Sequence, residues 1–130
     1  MIVRIVSNVL RASALLALIL GILNWIGVLP DSLVAIHMLL GIIVVLSLWI
    51  LGGVIATTRG GIGLALGAFV LGLITLGVGL TQQQLLPEPN SAHWVIQVIH
   101  LLLGLSAIGM GEAISGRYRR QSQIAKMQVR

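Results

Sequence analysis

The chain predicts an all-α membrane protein: a bundle of four transmembrane helices running up-down-up-down, with both termini in the cytoplasm. Three observations predict it. Hydrophobic residues make up 58% of the 130 positions and charged residues 8%, against roughly half apolar and a quarter charged in soluble domains. So few polar groups could not cover that much apolar surface in water. Four segments, about 9–29, 33–57, 62–85 and 93–115, each supply the roughly 20 apolar residues that about 30 Å of hydrocarbon requires. All eight basic residues fall in segments that this topology leaves on one side.

The first segment carries Arg4 and Arg11 ahead of "ALLALILGIL". It resembles a secretory leader only superficially, because its apolar run is long and no small-residue cleavage site follows; it predicts a retained span. "LPDS" at 29–32 separates it from the second segment, and "TTRGG" at 57–61 separates the second from the third. Breaks this short force antiparallel neighbours. "TQQQLLPEPNSAH" at 81–93 is a modest polar loop before the fourth segment, which is followed by the basic tail 117–130.

Basic residues orient short loops toward the cytoplasm. With both termini inside, Arg4, Arg11, Arg59, Arg117, Arg119, Arg120, Lys126 and Arg130 are all cytoplasmic, and Asp31 and Glu88 fall in outer loops. Trp25 and Trp94 then lie at the outer interface and Tyr118 at the inner one. The formal charge of +5 therefore reads as topology rather than nucleic-acid binding, with the tail against anionic lipid heads. Glu112, near the inner end of helix 4, is expected to snorkel to the interface within reach of Arg117 or Arg59. The expected location is the cytoplasmic (inner) membrane.

No cysteine is present, which excludes disulfides, thiolate metal sites, iron–sulfur ligation and covalent haem attachment. No Gly-rich phosphate loop or His–Glu zinc motif appears either. Enzymatic chemistry has little to work with, and an electron carrier fits better than an enzyme.

A weak internal repeat runs through the chain. Leu20-Gly21 followed by Asn24 matches Leu71-Gly72 followed by Thr75, and "LPD" at 29–31 matches "LPE" at 86–88. Each is followed by a helix carrying a histidine four residues before a glycine, "AIHMLLG" at 35–41 and "VIHLLLG" at 98–104. Two copies of a helical hairpin, related by an axis along the membrane normal, are expected.

Helices 2 and 4 run the same way in such a bundle and are diagonal partners. His37 lies six residues after Asp31 and His100 six after Trp94, so each sits about 9 Å from its outer marker at 1.5 Å per residue. Two imidazoles at one depth on diagonal helices point at each other across the bundle axis. The economical use of that arrangement is one metal between them, and haem iron takes such axial ligands. Gly41 and Gly104, one turn below each histidine on the same face, would spare a macrocycle a clash. Val44, Leu48, Ala107 and Gly111 follow further down those faces. On helices 1 and 3, Ala17, Gly21, Asn24, Gly72, Thr75 and Gly79 fall on inward stripes. Asn24 and Thr75 stand where either could hydrogen-bond a ligand histidine's other nitrogen. His93, seven residues before His100 with Gln97 between, is expected as an interfacial polar residue, or as a contact to a haem propionate.

This pattern resembles one half of the haem A synthase architecture, a four-helix unit with histidines on its second and fourth helices. "QVIHLLLGL" at 97–105 is the closest stretch. The resemblance implies that His37 and His100 are axial ligands of one non-covalent b-type haem on the outer side. The chain departs from the family where the catalytic half carries a glutamate near its first histidine: position 33 is Leu33, and the first three predicted spans hold no carboxylate. The long outer loops are missing too. These departures argue against haem-modifying chemistry and for electron transfer or haem handling. No arginine or lysine lies on the outer side to meet the propionates, which would have to reach water, His93 or backbone amides.

Three functions compete on the sequence. The first is a b-type cytochrome exchanging electrons with a quinol or redox protein. The second is a structural or accessory subunit of a larger membrane complex, its histidines bonded between helices. In the third, each histidine faces outward to its own chlorophyll-type pigment.

Overall fold

The structure is a computed structural model describing residues 1–28, 30–85 and 92–128. It is all-helical: α1 Ile2–Trp25, α2 Asp31–Ala56, α3 Ile62–Leu85 and α4 His93–Gln128. All four helices are long and apolar enough to cross a membrane, making this a multi-pass membrane protein. Leu29, Glu88 and the "LPE" half of the repeat lie outside the described residues.

Two helix bounds differ from the sequence expectation. α1 begins at Ile2 rather than near residue 9, and α4 continues through the basic tail to Gln128. The first difference arises because residues 2–8 hold no proline or glycine to stop the helix, which runs on past the apolar span through Arg4. Within α1 the Arg11 guanidinium makes a two-pronged ion pair with Glu112 on α4, Nε to Oε1 at 2.6 Å and Nη2 to Oε2 at 2.7 Å. An arginine with such a partner can sit within an apolar helix. Glu112 therefore pairs with Arg11, not with Arg117 or Arg59. The second difference follows from the tail's content of Arg, Gln, Ala, Lys and Met, good helix formers with no proline or glycine after Gly116.

Contacts between helices set their register. Ser7 on α1 meets Ser115 on α4, with the hydroxyls 2.6 Å apart. His37 near the start of α2 packs on Gly21 near the end of α1. Trp49, late in α2, stacks on Phe69, early in α3, with ring centres 5.9 Å apart. Each helix packs on the next in sequence, α4 closes on α1, and α2 touches α4 across the middle, whereas α1 and α3 do not meet among the described residues.

The packed core lies toward the end that carries the basic residues. On α2, Val44, Leu48, Leu51 and Ile55 are buried, a four-three-four spacing that keeps one stripe on the seam with its neighbours. They meet Leu10 and Ala14 of α1, Ala65 and Ala68 of α3, and Ala107 and Ile114 of α4. Small residues let the helices close in: a Cβ on Gly52 would come within 3.2 Å of Ala68, and one on Gly111 within 2.9 Å of Leu10. Among the described side chains none of α2 before Val44 is buried, and between Ile96 and Ala107 none of α4 is. The bundle is tight at its basic end and looser at the other.

Candidate functional site

The looser end holds the two histidines. Each sits on a helix whose apolar character runs around its circumference, as in a lipid-embedded span, so neighbour packing decides where the ring goes. His37 is pressed against Gly21: a Cβ there would stand 3.1 Å from its Cε1. His100 is pressed in the same way against Gly79, 2.9 Å from a Cβ to its Cε1. The two rings then meet across the bundle, centroids 6.3 Å apart and planes at 68°.

Their hydrogen bonding differs. His37 Nδ1 lies 2.9 Å from the Ala17 carbonyl oxygen. A carbonyl can only accept, so Nδ1 carries the proton, and in the neutral ring Nε2 keeps its lone pair. His100 Nδ1 is buried with no hydrogen-bond partner. An orphaned buried polar atom costs about 1–3 kcal/mol.

Both rings face a recess walled by all four helices, including Gly21, Asn24, Gly41, Thr75, Gln97 and Gly104. Its volume is about 130 Å³, below the roughly 300–1,000 Å³ of ordinary small-molecule sites, so a larger ligand would have to extend beyond it. α1 and α4 supply most of the walls. Their side-chain bonds to each other lie nearer the other end of the bundle, at Ser7–Ser115 and Arg11–Glu112.

The glycines divide cleanly. A Cβ on Gly41 or on Gly104 would meet nothing within 4 Å, so open space lies one turn from each histidine. Gly72, expected on the inward stripe, is instead filled by Trp49, whose indole nitrogen a Cβ would overlap. That indole donates to the Phe69 carbonyl at 3.3 Å, holding Trp49 on α3. Asn24 and Thr75 both line the recess, but the partner found for His37 is the Ala17 backbone. The Thr75 hydroxyl donates to Leu71. His93 is buried in the first turn of α4 and lies outside the recess wall. Leu48, Ala107 and Gly111 belong to the packed core or its floor rather than to the recess.

Sequence reasoning had placed Gly79 on an inward stripe without giving it a role. The structure shows that it repeats Gly21: each glycine bears on the histidine of the next helix. The repeat on α1 and α3 therefore runs Gly21 with Gly79 and Ala17 with Thr75, two helical turns from the alignment that paired Gly21 with Gly72. The distances back from the two histidines, 16 residues to Gly21 and 21 to Gly79, differ, so no fixed spacing in the sequence marks this correspondence.

Among the described residues no group of three or more histidine, cysteine or acidic side chains gathers in one place; His37 and His100 meet as a pair. Comparison with models of protein families, with curated proteins and with solved structures gave no match.

Proposed function

We propose that this protein is a b-type cytochrome of the cytoplasmic membrane, an up-down-up-down bundle with both termini inside. It would hold one haem between His37 and His100 for electron transfer near the outer face. The observation that carries the reading is the ring separation of 6.3 Å. If the two ring nitrogens faced one metal from opposite sides, at bonds of about 2.0–2.1 Å as imidazole makes to zinc, the centroids would stand at about this distance.

Three further features support it. The Ala17 carbonyl orients His37 as ligand histidines are commonly oriented, through the nitrogen that does not bind metal. The space beside Gly41 and Gly104 suits a flat group. The Thr75 backbone, in the place that Ala17 takes for His37, is the natural acceptor for the orphaned His100 Nδ1 once that ring is drawn onto a metal.

When bound, the haem iron would supply a one-electron couple whose potential depends on its axial ligands and the surrounding dielectric. With both axial positions taken by imidazole, no iron site would remain for oxygen or substrate, which favours a carrier over an enzyme. The redox partner would be a quinol or another protein. Likeness to half of the haem A synthase bundle remains part of this reading, without the acid its catalytic half carries.

A second reading keeps the histidines as packing groups in an accessory subunit. The T-shaped contact at 68° lies within the geometry aromatic rings adopt on their own, and the His37–Ala17 bond ties α2 to α1. Pigment binding fits less well, since it needs rings turned away from one another.

Reduced-minus-oxidised spectra of the detergent-purified protein, supplied with haem, decide among them. A sharp six-coordinate low-spin b-type signal, lost in both His37→Ala and His100→Ala, is the expected result. A folded protein that stays colourless would sink the cytochrome reading and leave the packing role.

A further inference from the structure

At the opposite end of the bundle, a second surface stands apart from the histidines and from whatever they hold. Glu112, Ala113, Gly116, Arg117 and Arg120 line a shallow groove along one face of α4. Its depth in the bundle is fixed by neighbours. Glu112 and Ser115 are level with Arg11 and Ser7 in the early turns of α1. Arg117 reaches the α2–α3 turn, where Nη2 donates to the carbonyls of Arg59 at 3.3 Å and Gly60 at 3.0 Å. The groove thus begins in the last apolar turns of α4 and ends level with the α2–α3 turn.

Its charge is uncompensated. Glu112, the one acid lining the groove, is engaged by Arg11 from α1, so it does not neutralise Arg117 and Arg120. Arg117 is pinned by the turn through one nitrogen and, with five N–H donors on its guanidinium, has others to offer. The floor is small and open: a Cβ on Gly116 would meet nothing within 4 Å. Two guanidinium groups at the rim with a smooth apolar floor running into the membrane match an anionic headgroup with an attached chain. A free phosphate would use the rim and leave the floor empty.

We infer that this groove is a binding site for one anionic phospholipid of the leaflet facing the basic end, its phosphate held by Arg120 and Arg117 and an acyl chain laid along Ala113 and Gly116. Planar guanidinium groups are suited to phosphate oxygens, and basic pockets at the cytoplasmic edge of membrane helices are a recognised place for acidic lipids. The assignment is to a discrete site, beyond the general attraction of a basic tail for a charged surface.

The test uses the full chain exchanged into a neutral detergent, with lipid retention and added-lipid binding followed by native mass spectrometry. Phosphatidylglycerol is expected to bind at about one molecule per chain, and phosphatidylcholine much more weakly. Arg120→Gln should weaken phosphatidylglycerol about five- to tenfold, while Lys126→Gln, which removes an equal charge further along the tail, should change it less than about twofold. Ala113→Leu, which fills the floor and leaves the charge alone, should also weaken it. Equal losses in Lys126→Gln and Arg120→Gln would mean diffuse attraction only, and would overturn the site. So would equal binding of the two lipids, or glycerophosphate competing as well as the lipid does. If Arg120→Gln fails to fold, the lipid preference of the unaltered protein and the Ala113→Leu variant still decide the matter.

Discussion

Four glycines around the two imidazoles act in two different ways. Gly21 and Gly79 are touched by the rings, at 3.1 and 2.9 Å from a built Cβ to the nearest ring carbon, so a methyl group there must push a ring aside. Gly41 and Gly104 border open space. Gly104→Leu is therefore expected to leave the fold intact while sharply lowering haem content, measured as absorbance per mole of protein. Unchanged content would show that the space beside Gly104 is not used. Gly79→Ala should shift His100 and broaden the low-spin spectrum without removing it. Gly72→Ala is a contrast of another kind. Its Cβ would overlap the Trp49 indole, an overpacking that costs about 1–3 kcal/mol; thermal stability in detergent should fall, with the spectrum of the folded fraction unaltered. That His37 and His100 belong together was legible from their matching contexts and equal depth. Which glycines serve them was not, because small-residue pairs recur throughout a chain with 16 glycines, and only the approach of a ring distinguishes one from another.

Between elements, the seam of α1 with α4 carries a disproportionate share of polar contacts. The Ser7 hydroxyl donates its one proton to the Val3 carbonyl at 2.6 Å, so the Ser115 hydroxyl is the donor in the bond between the two serines. Both are buried. Ser115→Ala is expected to cost about 0.6 kcal/mol, and no more than about 1.7, the range for hydrogen bonds between membrane helices; reversible unfolding in mixed micelles would measure it. Glu112→Gln should lower the melting temperature by leaving Arg11 unpaired, and the double variant Arg11→Met with Glu112→Leu should recover part of the loss, since removing both charges removes the mismatch. A double variant less stable than either single one would contradict this. The Arg11–Glu112 pair itself was not legible along the chain, because the two partners lie 101 residues apart.

For the whole molecule, packing is graded along the bundle. The basic end is closed by Leu48, Leu51, Ile55 and Ile114, each at or below 1% exposed, and latched by the serine and arginine contacts. The histidine end is open to the side. Local stability follows contact density, so hydrogen exchange is expected to be slower at the basic end of α2, around Leu51, than near Ile36. Sidedness is directly testable because the chain has no cysteine. Ser122→Cys should react with a membrane-impermeant maleimide only from the cytoplasmic side, and Ala92→Cys only from the outside. The reverse pattern would invert the bundle and move the histidines toward the inner face.

Four apolar helices, the clustering of positive charge and the pairing of two histidines were all readable along the chain. They depend on span length, local hydropathy and spacing along one helix, quantities that neighbouring residues define by themselves. The 6.3 Å meeting of the rings, the pairing of Gly21 with Gly79, the displacement of Gly72 to Trp49 and the Arg11–Glu112 pair were decided by tertiary structure alone. Helices that are apolar on nearly every side carry little record of which face turns inward, so their rotation and register are settled by side chains from other parts of the chain.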